Sequence, residues 1–362
     1  MKIGILTYHR SHNYGALLQG IALREVLVRA GHQVTFIDYW PAYHRHMYAL
    51  FSFHWMMSRK GFGGKKGYLK NCIVYYKNRK IRKTNFDIFR KKYVEPYTSS
   101  MNEVYDVIVH GSDQIWRKQP EINTYNQVYF GKHQIKSNRK VSYAASMGIL
   151  PKDEFDMNQV KDYLSCLDAI SVREESLLAL VKELGYSNAT HDLDPTLLLP
   201  SDYWVNKFNL KQSSERYALY YKIQDSFDTN ELRRYVVSKG LKLKVIHSKA
   251  NVADSEINFT TAGPQQFLQM IYGAEMVFTS SFHGLAFALI FNKPFYASFV
   301  KNAGRAESLL EAVDLSNRLL KPKTAIPSNL CEIDFNAVNQ LLQTLRYASI
   351  NSLNHMIFYN GK

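Results

Sequence analysis

A chain of 362 residues with 46% hydrophobic side chains is long enough for two domains at about 100–200 residues each, and too apolar for a disordered or fibrous protein. Its 46 Lys plus Arg against 31 Asp plus Glu leave a net charge of +15, which favours anionic partners: nucleic acid, acidic lipid headgroups, or phosphorylated and carboxylated small molecules. Cys72, Cys166 and Cys331 are widely spaced and form no CxxC, which argues against a disulfide framework and a zinc site and for reduced cytosolic thiols.

Lys2–Tyr8 reads as a short buried strand, too short for the apolar core of a signal peptide and broken by Tyr8-His9-Arg10. A loop through Ser11–Gly15 leads into a helix over Ala16–Ala30, with Gly31 as its C-terminal stop, and Gln33–Tyr39 is the next strand. Strand, helix and strand of this length make a βαβ unit and hence a parallel sheet. Trp40–Tyr97 interrupts the rhythm. It is aromatic, basic and His-rich, with a glycine break at Gly61–Gly64 and helical pieces, the last near Arg82–Lys92. Between Ser58 and Tyr93 thirteen basic residues face one acid, Asp87. The cations interleave with Phe62, Tyr68, Tyr75, Tyr76, Phe86 and Phe89, a mixture that suits either an anionic membrane surface or a solvated basic face.

The α/β rhythm returns at Tyr105–His110, Lys140–Ala145 and Asp168–Arg173, followed by a helix over Glu174–Gly185. Asp192–Pro200 closes this half, and the pattern restarts with strands at Arg216–Lys222, Leu243–His247, Met276–Ser280 and Pro294–Ser298. Helices over Thr229–Lys239, Pro264–Gly273 and Gly284–Phe291 alternate with them, and Asn336–Ile350 is an amphipathic C-terminal helix. The apolar run Leu285–Phe291 is far below the ~20 residues of a membrane span. The expected architecture is α/β, with two doubly wound, Rossmann-like domains facing a cleft: residues 1–200, carrying the insertion at about 40–97, and residues 201–327. Residues 328–362 are expected to pack back across both. The expected location is cytoplasmic, with peripheral contact at the inner face of the membrane allowed by the basic insertion.

In open parallel sheets ligands bind beyond the carboxyl ends of the strands, so polar residues just after strands carry the candidate site. Four segments qualify. In His9–Gln19, Asn13 and Gly15 lie where a loop becomes a helix; the segment is either an ordinary capped turn or an anion site, and it is no GxGxxG. In Gly111–Trp116, with Ser112 and Gln114 flanking it, Asp113 either caps a following helix or offers a carboxylate to a sugar hydroxyl. Arg173 opposes the dipole of the helix behind it, so it serves as a salt-bridge partner or as a clamp on carboxylate or phosphate. Ser280, Ser281, His283 and Gly284 bring hydroxyls, an imidazole and a helix start to one strand end, a setting for an acid catalyst beside a phosphate.

Taken in order, GILTYHRSHNYGALLQGIALREVL, GSDQIW, SVREES, DPTLLL and SSFHGLAFALIFNKPFYA resemble the polysaccharide pyruvyl transferase family, and KNAGRAESLL at Lys301–Leu310 also fits. The resemblance spans most of the chain except the basic insertion. It implies a two-lobed fold similar to GT-B glycosyltransferases and transfer of pyruvate from phosphoenolpyruvate to a sugar as a ketal. It places the active-site Asp, Arg and His at Asp113, Arg173 and His283. Many members carry an Arg two residues before that His, where this chain has Ser281; either Arg305 supplies the cation or the donor differs. The expected partners are phosphoenolpyruvate and a carbohydrate acceptor, lipid-linked ones included, with no cofactor and no metal. The first alternative is a GT-B-type glycosyltransferase using a nucleotide sugar. A nucleic-acid-binding module is the second, disfavoured because no helix-turn-helix, zinc finger or RNP string occurs.

Overall fold

The computed structural model describes residues 1–327 and 332–358, so Cys331 and the start of the 328–362 segment lie outside the described residues. Strands β1 (Lys2–Leu6), β2 (Gln33–Ile37), β3 (Thr98–Ser99), β4 (Tyr105–His110) and β5 (Ser137–Ser142) form one parallel sheet in the order β3-β2-β1-β4-β5. Two short strands, β6 (Ser171–Val172) and β7 (Thr190–His191), pair with each other and continue from this sheet through the bridges Val141–Ala169 and Ala145–Val172. Strands β8 (Tyr217–Lys222), β9 (Lys242–His247), β10 (Asn258–Phe259), β11 (Met276–Thr279), β12 (Phe295–Ser298) and β13 (Leu319–Leu320) form the second parallel sheet, in the order β10-β9-β8-β11-β12-β13. The central strands β1, β4, β8 and β11 are short, largely apolar runs because helices cover both sheet faces there, leaving no solvent side to demand alternation. The architecture is that of two Rossmann-like α/β domains.

In each sheet the strand order reverses once, between β1 and β4 and between β8 and β11. Register fixes these neighbours tightly: Ile5 lies beside Val109, and Val277 beside Leu219. Loops diverge at such reversals and leave a crevice at the carboxyl edge. The segments after β1, β4 and β11 hold three of the four candidate motifs.

The lobes share one hydrophobic core. Helix Tyr14–Arg29 follows β1 and stacks Tyr14 on Phe267 of helix Pro264–Gly273, with ring centroids 4.5 Å apart. The Tyr14 hydroxyl donates to the Ala262 carbonyl at 2.7 Å. The C-terminal helix is longer than expected, Phe335–Phe358. Its Arg346 donates to the Leu197 carbonyl, its Ser349 accepts from the Leu193 amide, and its Met356 carbonyl accepts from Arg139.

The insertion folds as four helices, Ala42–Tyr48, Phe53–Met57, Gly61–Val74 and Tyr76–Tyr93. The glycine-rich stretch expected as a break instead opens the third of them. Gly61 takes φ +67, which breaks the chain there, and helix begins at once because Tyr68 and Cys72 anchor its inner side: the Tyr68 hydroxyl accepts from the Ser52 amide and Cys72 is buried. Two aromatics expected at an exposed basic face are core residues. Phe86 is fully buried against Tyr14, and Phe89 stacks on Phe208, because their helix lies along both lobes. Among the described residues no helix is long and apolar enough to cross a membrane.

Candidate active site

Arg173 directly follows β6 and is buried to 3% exposure. Its Nη1 donates to Asp194, the residue that caps the short 3-10 turn Pro195–Leu198. Nη2 lies 3.6 Å from Asp113 Oδ1. Neither Nε nor Nη2 has a hydrogen-bond partner among the described residues. A buried guanidinium keeps its charge, and orphaned donors on it are costly unless something else satisfies them.

Asp194 is the hub of the cluster. One oxygen accepts from the Thr196 amide at 2.9 Å and the Thr196 hydroxyl at 2.6 Å. The other accepts from Arg173 and lies 3.5 Å from His283 Nε2. Burial alone would raise its carboxyl, but Arg173 and His283 outweigh it and hold the group well below the ordinary carboxylate range. His283 belongs to the other lobe. It is the second residue of helix Phe282–Ile290, which Ser281 caps by accepting from the Gly284 amide at 3.4 Å. Its Nε2 also lacks a hydrogen-bond partner among the described residues. The ring rests on the bare Cα of Gly15, where a Cβ would overlap the imidazole. Gly15 is therefore a contact surface for the candidate acid, across the interface between the lobes.

Arg305 enters from helix Gly304–Ala312. Its guanidinium sits 5.5 Å from the Phe282 ring centroid and that of Arg173 sits 5.0 Å from it, so both cations flank one aromatic ring. Arg305 Nε is 3.6 Å from Glu174 Oε1. Burial and the neighbouring Arg173 lower Arg305 to about 10. Glu174 accepts from the Ser146 hydroxyl, while its Oε2 is buried without a partner. Three carboxylates thus face two guanidiniums and an imidazole, all clustered where the lobes meet.

Asp113 holds φ +75 and its carbonyl accepts from the Ile115 and Ser146 amides. No helix follows it, so it is not a helix cap, and its carboxylate faces Arg173. Tyr8, His44 and Tyr48 crowd the same side, bringing the first helix of the insertion to the rim. Burial lowers His44 to about 4.

Several expected ligands are occupied elsewhere. The Ser112 hydroxyl donates to the Ala144 carbonyl at 2.8 Å, and its amide donates to Gln19. The Ser280 hydroxyl accepts from the amides of Ile223 and Gln224, tying β11 to the loop after β8. Asn13 caps its helix by accepting from Ala16 and is exposed. Gly284 lies against Thr279 and Tyr221, where a side chain would collide. Gln114 points its Nε2 at Gly148, without a hydrogen-bond partner among the described residues. The central triad Asp113, Arg173 and His283 does come together, but through Asp194, which was legible only as part of DPTLLL. An Asp before Pro reads as a turn or cap, which it is; nothing local shows that its second oxygen points at an arginine and a histidine far away in the chain.

Two parallel α/β lobes that meet around an ionised cluster define a two-domain, Rossmann-like protein. The family model "Polysaccharide pyruvyl transferase" matches residues 13–298, and the chain belongs to that family of transferases. Its acceptor is accordingly a carbohydrate. The match ends before Arg305. Among solved structures, the glycosyltransferase SnogD from Streptomyces nogalater is 11% identical with a TM-score of 0.41, covering 99% of each chain. The UDP-GlcNAc 2-epimerase of Methanocaldococcus jannaschii, in complex with UDP-GlcNAc and UDP, is 10% identical with a TM-score of 0.43, over 96% of this chain and 100% of that one. The E. coli heptosyltransferase WaaC with ADP is 11% identical with a TM-score of 0.37, over 95% and 100%. No curated protein matches the chain.

Proposed function

We propose that the cleft between residues 1–200 and 201–327 moves the pyruvyl group of phosphoenolpyruvate onto two hydroxyls of a glycan as a ketal and releases phosphate. The observation that carries this reading is the convergence of three buried donors without hydrogen-bond partners among the described residues, Arg173 Nε, Arg173 Nη2 and His283 Nε2, on two side chains that both meet Asp194. Such donors suit a small, doubly anionic ligand. Arg173 and Arg305 hold its carboxylate and phosphate, with Arg305 standing in for the cation that Ser281 lacks. His283 Nε2 gives its proton to the methylene carbon, which becomes a methyl group. A sugar hydroxyl then adds at the carbon bearing the phosphate, the C–O bond to phosphate breaks, and the second hydroxyl closes the ketal. Of the two hydroxyl protons, one restores His283 and the other passes through Asp113 and departs on the phosphate. Gly15 supports the imidazole ring from its Nδ1 side.

The test is phosphate release from phosphoenolpyruvate against a panel of free and lipid-linked glycans, with the ketal methyl followed by proton NMR. Release with a new methyl singlet on the glycan is expected. Turnover of a nucleotide sugar with no release from phosphoenolpyruvate would overturn the reading.

A further inference from the structure

The distal half of the insertion carries a surface that the site chemistry does not use. On helix Gly61–Val74 the side chains Phe62, Leu69 and Ile73 are 81%, 43% and 69% exposed. Their spacing of seven and four residues places them on one helix face. Lys65, Lys66 and Lys70 flank that face, while Cys72 and Tyr68 lie on an adjacent, inner side of the helix. The preceding helix adds Phe53 at 65% exposure and Met57 at 49%. Large apolar side chains grouped this way are not left in water without a partner.

The charge around them selects the partner. From Ser58 to Tyr93 the only acid is Asp87. It is consumed within its own helix by Lys83 and Arg90. The face is therefore apolar at its centre and cationic around it, with no unpaired carboxylate from its own segment to repel phosphate. A second copy of the same face would set lysines against lysines.

We infer that helices Phe53–Met57 and Gly61–Val74 form a docking surface for an anionic lipid bilayer, with the apolar side chains entering the headgroup layer and the lysines lying at lipid phosphates. Docking of this kind needs both components, because apolar insertion and attraction to anionic lipid add. The surface is joined rigidly to the catalytic body. The next helix, Tyr76–Tyr93, is fastened to the second lobe by Asn78, Arg82 and Asn85. The inference holds whether or not phosphoenolpyruvate is the donor, since its readout uses neither donor nor acceptor.

The experiment is co-sedimentation of the full chain with vesicles of phosphatidylcholine alone and of phosphatidylcholine with phosphatidylglycerol, at low and high salt. Binding to the anionic vesicles only, weakened by salt, is expected. The double variant Phe62→Glu/Ile73→Glu should lose about tenfold or more of that binding while keeping the wild-type melting temperature and its turnover of soluble substrates. Equal binding to both vesicle types, binding to neither, or unchanged binding by a folded double variant overturns the inference. So does a wild-type dimer that the double variant converts to monomer, because the occupant would then be a second copy.

Discussion

Arg82 and Arg173 are both buried guanidiniums, one on the insertion helix Tyr76–Tyr93 and one at the end of β6, and they are used in opposite ways. Arg82 spends its donors on the Tyr14 hydroxyl and the carbonyls of His247, Ser248 and Thr260, at 2.8 to 3.3 Å. It packs over the rings of Tyr14 and Phe86. Every one of these partners is part of the protein, so the residue is a fastener between the insertion and the two lobes. Arg173 donates to Asp194 through Nη1, while its Nε and its Nη2, the latter 3.6 Å from Asp113 Oδ1, have no hydrogen-bond partner among the described residues. Burial of an arginine is therefore no indicator of function; the state of its remaining donors is.

The largest effect that would sharpen this contrast is at His283, which shares the Asp194 oxygen with Arg173. His283→Ala should lose roughly 10²–10⁴ in kcat, about 3–5 kcal/mol of barrier, with an unchanged melting temperature. Asn or Gln should not rescue it. A folded His283→Ala that keeps more than about a tenth of wild-type kcat would remove the acid role. Gly15→Ala should also lose most activity, because the new methyl collides with the imidazole. Its loss should be kinetic, with donor binding by calorimetry weakened far less than turnover.

Arg173→Lys keeps the charge but not the planar fork, so KM for phosphoenolpyruvate should rise by about tenfold or more. Melting should shift little. A marked fall in stability with an unchanged KM would instead make Arg173 a fastener like Arg82. The converse test is Arg82→Met, which leaves carbonyls unpaired and should cost roughly 1–3 kcal/mol in denaturant unfolding with kcat retained. Loss of turnover without destabilisation would break the comparison from its other side.

The smallest effect concerns pH. Burial lowers His12 and His110 to about 3 and His44 to about 4 in the folded protein. In the unfolded chain a histidine titrates near 6.5, so between those values the unfolded state binds more protons. The stability they contribute as neutral groups is complete above about pH 6.5 and declines as pH falls towards 4, by about 1.4 kcal/mol per pH unit for each histidine. Urea midpoints measured from pH 7.5 to 4.5 check this; a flat profile would mean these rings are not held neutral. His12 packs at a tilt against Phe86, the neighbour of Arg82 in the core, so the acid-sensitive groups lie partly within the fastening region.

Much of the architecture is legible in the sequence itself. Tyr105–His110 and Pro264–Gly273 have the bounds expected of them, because an apolar β-prone run ending in Gly and a proline-led amphipathic helix each carry local signals that tertiary contacts reinforce. Asp168–Arg173 shortened to Ser171–Val172, and the glycine stretch at 61–64 became helix, because there the partner strand or the packing side chain decides the local state. The site shows the same division. Asp113, Arg173 and His283 could be singled out since each follows a strand; the reversals at β4 and β11 bring Asp113 and His283 to the crevice, and β6 delivers Arg173 beside them. Ser112 and Ser280 follow strands too, yet the structure spends their hydroxyls on backbone groups.

The order of strands, the strand-end motifs and the family they compose are local properties of the sequence, written in hydrophobic period and in residues adjacent along the chain. What only the tertiary structure decided is pairing across distance: that Asp194 lies between Arg173 of its own lobe and His283 of the other, that Gly15 supports the imidazole, and that Arg82 faces carbonyls while two Arg173 donors find no partner among the described residues. These contacts join residues up to 268 positions apart, as Gly15 and His283 are (283 less 15). A hydrogen bond is directional and short, so which donor is satisfied depends on where the two sheets finally stand, and no pattern confined to one segment can encode that.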